Sequence, residues 1–156
     1  MSAPQRERVG DWLIVAGAVA LLGSLFVTWS HQFSSTFLAQ WGSSAQLQGL
    51  PHDPTAWQVY SAADVLLALL AVALFVTALA GNRAVRVGVI VACGTAVAFT
   101  LRALTAPPTN GANIFDPASP STGYAPNVPT AGVGITVALL GLGLALAGLL
   151  VSFTAD

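Results

Sequence analysis

Four long runs of apolar residues dominate this chain, and nine of its eleven charged residues lie outside them. The runs cover residues 12–29, 60–80, 87–104 and 131–153, which are 18, 21, 18 and 23 residues long. A helix needs about 20 mostly apolar residues to cross the hydrocarbon core of a bilayer. Barrel strands are shorter and alternate in polarity, so these runs predict helices. We therefore expect one all-α domain over residues 1–156, folded as a bundle of four transmembrane helices.

The scarcity of charge favours a membrane location. Only 7% of the residues are charged, against roughly 25% in an ordinary soluble domain. Five arginines, no lysine and six acidic residues give a formal net charge of -1. A soluble domain needs more polar surface, and a nucleic-acid-binding domain needs a basic face. The composition excludes a cytosolic enzyme and predicts a multi-pass protein of the plasma (cytoplasmic) membrane with no nucleic-acid partner.

The placement of the arginines predicts the orientation in the membrane. Arg6 and Arg8 precede the first run, and Arg83 and Arg86 lie between the second and third. The loops over residues 30–59 and 105–130 contain neither lysine nor arginine. Basic residues accumulate on the cytoplasmic side, so both termini should be cytoplasmic and both loops outside. Because no small-residue cleavage motif follows the first run, we expect an uncleaved helix and not a secretory signal.

Aromatic residues recur at the start of the first outer loop. Four of them are spaced four residues apart, namely Trp29, Phe33, Phe37 and Trp41. On a helix this spacing places them in one stripe, which could lie on the outer leaflet, dock a partner or cap the bundle. Farther along the chain, Trp57 and Tyr60 are expected to belong to an outer aromatic belt.

The outer loops hold few candidates for ligand chemistry. His31, His52 and Asp53 lack the spacing of a metal site, so we expect neither a metal nor a cofactor. Asp53 and Pro54 are typical of a helix start. Six of the nine prolines fall in the second outer loop, which therefore cannot be a span. This loop could be an ordered lid or a flexible tether.

Asp64 and Arg102 are the two charged residues inside the predicted spans. Each lies 19 residues from Arg83, the centre of the turn between the second and third helices. At 1.5 Å per residue, both lie roughly 28 Å from that turn, near the outer boundary of the core. An unpaired charge at mid-bilayer costs at least about 2.5 kcal/mol. The equal depth predicts an intramembrane ion pair, which could be a structural clamp or a polar gate.

Sequence motifs that would indicate catalysis are absent. The chain contains no G-x-S-x-G, HExxH, Walker loop or CxxC motif, and none of the predicted spans holds clustered carboxylates. Isolated hydroxyl side chains provide little polar lining for a conduction path. The sequence therefore predicts that the protein is not an enzyme.

Three segments carry a family resemblance. These are TAWQVYSAADVLLALLAV on the second helix, LRALTAPP at the end of the third, and GITVALLGLGLALAG on the fourth. With them the chain resembles the small, mostly uncharacterised four-helix membrane proteins of high-GC actinobacteria. The resemblance implies a fold and a membrane location, and it implies no activity.

Together these features favour an interaction role. We expect a non-catalytic accessory or interaction subunit of a larger membrane assembly, in contact with the lipid bilayer and with a protein partner or further copies of itself. The aromatic stripe and the proline-rich loop would form its outer contact surface. The alternative is a small channel or transporter component in which Asp64 and Arg102 form a polar gate.

Overall fold

The computed structural model describes residues 3–33, 35, 38–39, 43, 51–60, 62–80, 82–108 and 129–154. Within them, four helices of 18 residues or more pack together, which confirms the predicted four-helix bundle. They are α1 (Ala3–Ser24), α3 (Ala63–Ala80), α4 (Arg83–Thr105) and α5 (Val133–Phe153). A short helix α2 (Ala56–Val59) precedes α3, and β1 (Ser30–His31) pairs antiparallel with β2 (Thr130–Ala131).

Two of the helices, α4 and α5, are long and apolar enough to cross a membrane. α3 is apolar over a shorter stretch, Ala63–Leu79. Asn82 begins α4 by accepting a hydrogen bond from the backbone N–H of Val85, which satisfies a donor in the first turn. Three of the helices end or begin within four residues of the bounds predicted from the apolar runs.

The first helix differs from its prediction at both ends. The apolar run covers residues 12–29, whereas α1 covers Ala3–Ser24. Short-range backbone hydrogen bonds from Leu25, Phe26 and Val27 turn the chain after Ser24. The charged residues before the run join the helix, because solvated charged side chains are compatible with a helical backbone. The end of the run leaves the helix because Trp29 packs into the bundle.

The closest helix packing joins α1 to α5. Gly17 lies against Gly141, and Gly10 lies against Gly148. A Cβ built on Gly17 would lie 2.5 Å from the carbonyl oxygen of Gly141, so any side chain there would push the two backbones apart. Small residues at a helix interface allow this close approach. Each glycine pair recurs after seven residues, which keeps both on the same helical face.

The four helices form a ring in which α1 also packs against α3, and α5 also packs against α4. The α3–α4 pair is the loosest of these neighbours. The buried side chains along the ring include Ile14, Leu21, Leu74 and Leu142, all fully buried. The α1–α5 side of the bundle is therefore held by close backbone contact, whereas the α3–α4 side is packed more loosely through side chains.

Large apolar side chains also cover the outside of the helices. The most exposed include Val19, Leu66, Leu79, Val91, Leu140 and Leu150, at 55%, 65%, 82%, 65%, 64% and 58%. Soluble monomers rarely expose contiguous apolar patches of this kind. The outer surface of the bundle is thus as apolar as its interior.

Candidate functional site

Three segments of chain meet at one end of the bundle and form a small hydrogen-bonded cap. β1 pairs with β2, and Thr28 forms a β-bridge with Thr55. The N–H of Trp29 donates to the carbonyl of Pro54 at 2.9 Å, and the N–H of Gly132 donates to the carbonyl of Trp29 at 2.9 Å. The cap therefore joins the chain after α1, the chain before α2 and the chain before α5.

Trp29 lies at the centre of this cap and is fully buried. Its indole Nε1 donates a 2.7 Å hydrogen bond to the carbonyl of Ser24, the last residue of α1, which also accepts from the N–H of Val27 at 3.3 Å. The ring packs on Gly134, where a Cβ would lie 2.5 Å from the indole Cδ1. The absence of a side chain at Gly134 therefore makes the space that the indole occupies.

An aromatic series continues from Trp29 toward the bundle. The Trp29 and Tyr60 rings meet edge to face with centroids 5.7 Å apart. Tyr60 in turn lies 5.2 Å from the Phe99 ring on α4. Offset and edge-to-face contacts at these distances are favourable. The series links the cap to the C-terminal half of α4, and Tyr60 is half-buried within it.

The second residue of the expected outer belt, Trp57, stays at the surface. It is 40% exposed, and its ring lies 6.1 Å from that of Phe26, which is 66% exposed. These two rings form an exposed aromatic pair beside the cap. Amphipathic rings at one end of a bundle are typical of a membrane–water interface.

The aromatic stripe predicted from spacing does not lie on one helical face in its first half. Trp29 follows a turn, and Phe33 follows the strand β1, so the backbone between them is extended. Trp29 is fully buried, whereas Phe33 is half-buried. Phe37 and Trp41 lie outside the described residues.

The two loop histidines hold structural contacts. His31 Nδ1 lies 2.6 Å from Asp53 Oδ1, in an exposed hydrogen-bonded contact that ties β1 to the segment before α2. The His52 ring meets the Phe33 ring edge to face at 5.7 Å. His31, His52 and Asp53 therefore lie in the cap, but the described residues show no group of three metal-binding side chains.

The structure does not join Asp64 to Arg102 in a salt bridge. Asp64 is 3% exposed in the first turn of α3, where its Oδ1 accepts a 2.8 Å hydrogen bond from the N–H of Val65. Arg102 is exposed near the end of α4. Equal depth on neighbouring helices does not specify which way each side chain faces. The carboxylate turns into the bundle, and the guanidinium turns outward.

A groove lies where α3 and α4 pack loosely. Its volume is about 380 Å³. It is lined on one side by Leu66, Leu67 and Leu70 of α3, and on the other by Ala92, Thr95 and Phe99 of α4. The only lining hydroxyl among these side chains, that of Thr95, donates to the carbonyl of Val91 in its own helix. The groove is therefore an apolar site without free polar groups on its walls.

Charged side chains gather at the opposite end of the bundle. Arg86 is 8% exposed, and its charge acts on Asp11 of α1. Burial is the largest influence on the pKa of Asp11 and raises it, Arg86 lowers it, and Glu7 raises it, with a net increase above 3.8. Arg83 lies beside Phe153, with its guanidinium carbon 5.6 Å from the ring centroid.

The positions of Arg83 and Arg86 in the sequence predicted the orientation and the centre of a turn, and they did not predict this charge group. Asp11 directly precedes the first apolar run, and Arg86 directly precedes the third. That shared position at the boundary of two runs was the available signal. The groove gave no comparable signal, because loose packing depends on how two helices meet.

The described residues form four distinct structural features. They offer a rigid cap, an exposed aromatic pair, an apolar groove and a charge group at the other end. None of these brings a nucleophile together with a base, within the part of the chain that the structure describes. No family model, no curated protein and no solved structure matches this chain.

Proposed function

We propose that this chain is a four-span protein of the plasma membrane, with both termini cytoplasmic, that acts as a non-catalytic accessory or interaction subunit of a larger membrane assembly. The membrane placement is supported by the apolar outer surface of the helices. Exposed side chains such as Leu66, Leu79 and Leu140 would be costly in water and favourable against lipid. The arginines near the α3–α4 turn support the orientation.

The observation that carries the interaction role is the cap. The described ends of the first long loop, Phe33 and Pro51, flank hydrogen-bonded cap residues, as does Pro129 at the end of the second loop. The 2.9 Å bonds through Trp29 hold all these ends at one position. Both outer loops would therefore be presented together at one end of the bundle, as a single contact surface for a partner.

Co-purification from native membranes tests this proposal. The wild-type chain in mild detergent should migrate as a complex whose mass exceeds that of the 15.9 kDa chain. Replacing residues 109–128 by a glycine-serine linker of equal length should release the partner while circular dichroism shows the helices intact. A control variant, in which residues 155–156 after α5 are replaced by glycine and serine, should retain the complex. A wild-type chain that is always a lone monomer would contradict the proposal.

The alternative is a channel or transporter component that uses Asp64 and Arg102 as a gate. It is less well supported, because the two side chains do not meet and face in different directions. Flux through proteoliposomes that is abolished by Asp64→Asn would favour it over an accessory role.

A further inference from the structure

The groove between α3 and α4 lies beside Arg102, an exposed basic side chain near the end of α4. Arg102 follows Thr95 by seven residues and Phe99 by three, so it continues the same side of α4 that lines the groove. At 1.5 Å per residue it lies about 4.5 Å beyond Phe99 along the helix. The apolar groove therefore lies next to a single positively charged side chain.

We propose that this groove is a binding site for one anionic phospholipid of the outer leaflet, with an acyl chain against α3 and α4 and the phosphate at Arg102. The inference rests on the proposed membrane placement and is independent of any protein partner. It also assigns a role to Arg102, which does not form the salt bridge with Asp64 that the sequence predicted.

The groove has the dimensions and the chemistry for an acyl chain. Its walls run over eight residues of each helix, about 10 Å, which corresponds to the outer part of one leaflet. Leucine, alanine and phenylalanine side chains present no hydrogen-bonding group to it, and Thr95 uses its hydroxyl within α4. Its volume of about 380 Å³ is that of a small-molecule site.

The charge of Arg102 selects the headgroup. Among the residues that the structure describes, its guanidinium has neither an ion-pair nor a hydrogen-bond partner, and the side chain is exposed. Asp64, the nearest acidic position on α3 in sequence to the groove wall, is 3% exposed and bonds the N–H of Val65. A guanidinium at the hydrocarbon boundary binds phosphate through charge-assisted hydrogen bonds.

A lipid fits this combination better than a helix of a partner protein. A transmembrane helix would cover the groove with apolar side chains and leave Arg102 beside it without an anion, which is costly near hydrocarbon. A phospholipid supplies both parts at the observed spacing. The end of the α4 wall is also held in place, since Phe99 packs on Tyr60 and Tyr60 packs on the buried Trp29.

Lipid titration followed by native mass spectrometry tests the site. The purified full chain in mild detergent is titrated with phosphatidylglycerol or with phosphatidylcholine of identical acyl chains, and the bound lipid per chain is measured. We expect one lipid per chain with a preference for phosphatidylglycerol. Arg102→Gln should reduce that preference about fivefold, the effect of one arginine near a membrane surface. Arg8→Gln, at an exposed arginine of α1, should leave it unchanged.

A second pair of variants tests the groove and does not depend on charge. Ala92→Phe fills the groove and should abolish retention of both lipids, whereas Ala147→Phe, at an exposed alanine of α5, should retain them. Circular dichroism should show the same helix content in every variant. Arg102→Lys should keep most of the preference if charge selects the headgroup.

Two results would overturn the proposal. One is equal retention of the two lipids by the wild-type chain. The other is a dimer that Ala92→Phe dissociates, because the groove would then hold a second copy. Carbonate extraction separates these failures from a failure of membrane placement, in which the chain leaves the membrane fraction. If the wild-type chain stays in membranes and has no protein partner, the proposed accessory role fails, but the lipid titration still tests the groove.

Discussion

The α1–α5 side and the α3–α4 side of the bundle differ in how closely their helices pack. α1 and α5 meet backbone to backbone at Gly17 and Gly141, whereas α3 and α4 meet through side chains and leave a groove of about 380 Å³. Glycine allows close approach, and leucine and phenylalanine keep helices apart. The comparison indicates that one side serves as the rigid frame and the other as the adaptable surface.

The cap extends this difference to the end of the molecule. Trp29 packs on Gly134 of α5, seven residues before Gly141, so the close-packed face of α5 continues into the cap. On the other side, Tyr60 and Phe99 connect the cap to the groove through rings alone. Variants on the α1–α5 side should therefore cost more stability than equivalent variants on the α3–α4 side.

The largest effect is expected at the indole in the cap. Trp29→Ala should lower the free energy of unfolding by about 4 kcal/mol, since it leaves a cavity in the cap and removes the indole hydrogen bond to the Ser24 carbonyl. The measurement is denaturant unfolding in detergent, followed by circular dichroism. Trp12→Ala, at a tryptophan that is 72% exposed, is the control and should change stability by less than about 0.5 kcal/mol. Equal losses of unfolding free energy for both variants would show that the cap does not contribute to the rigid α1–α5 side.

A methyl group at the helix interface should have the next largest effect. Gly17→Ala places a Cβ against the Gly141 carbonyl oxygen and should cost about 2 kcal/mol by forcing the backbones apart. In α4, a Cβ on Gly94 meets nothing within 4 Å. Gly94→Ala should therefore be neutral or slightly stabilising, because alanine favours a helix. If the two variants unfold at the same temperature, the contrast between the two sides fails.

On the α3–α4 side, a double-mutant cycle should show little coupling. Asp64→Asn should cost about 1 kcal/mol through its bond to the N–H of Val65, and Arg102→Gln should cost less. Because the side chains do not meet, the losses should add to within about 0.5 kcal/mol. Thermal unfolding of the two single variants and the double variant measures this. Coupling above about 1 kcal/mol would restore the predicted ion pair.

The smallest effect concerns the pH dependence at the opposite end. Burial raises the pKa of Asp11 above 3.8, so between that value and the raised pKa the folded chain binds more protons than the unfolded chain. Stability should therefore fall as pH rises through this window and stay constant above it. Asp11→Asn should remove that fall, which solvent screening keeps below about 1 kcal/mol. Melting temperatures of the wild-type chain and of Asp11→Asn from pH 4 to 7 measure it.

The apolar runs were sufficient to predict the number and approximate bounds of the main helices. α3, α4 and α5 end at or within one residue of the predicted positions, because the runs are interrupted by polar turn residues such as Asn82. The end of α1 was not predictable in this way, since the apolar run continues to Trp29 after the helix stops. Hydropathy does not distinguish an apolar residue on a helix from one folded back into a cap.

The candidate site shows the same division. The types of its residues were visible in the sequence: a tryptophan after the first run, an aspartate and an arginine at equal depth, and glycines in α1 and α5. Their partners were not, because spacing specifies depth and approximate face, while contact depends on how neighbouring helices rotate and tilt. That is why Asp64 and Arg102 were expected together and are found apart.

By itself, the sequence determined the class of molecule. Long apolar runs and few charges commit the chain to helices with apolar outer faces, since local hydrogen bonding and burial of apolar surface act on every such segment. The tertiary structure alone decided which faces touch. Close packing at Gly17 and Gly141 leaves no room for a side chain at those two positions, and the space between α3 and α4, next to the exposed Arg102, depends on how those two helices pack.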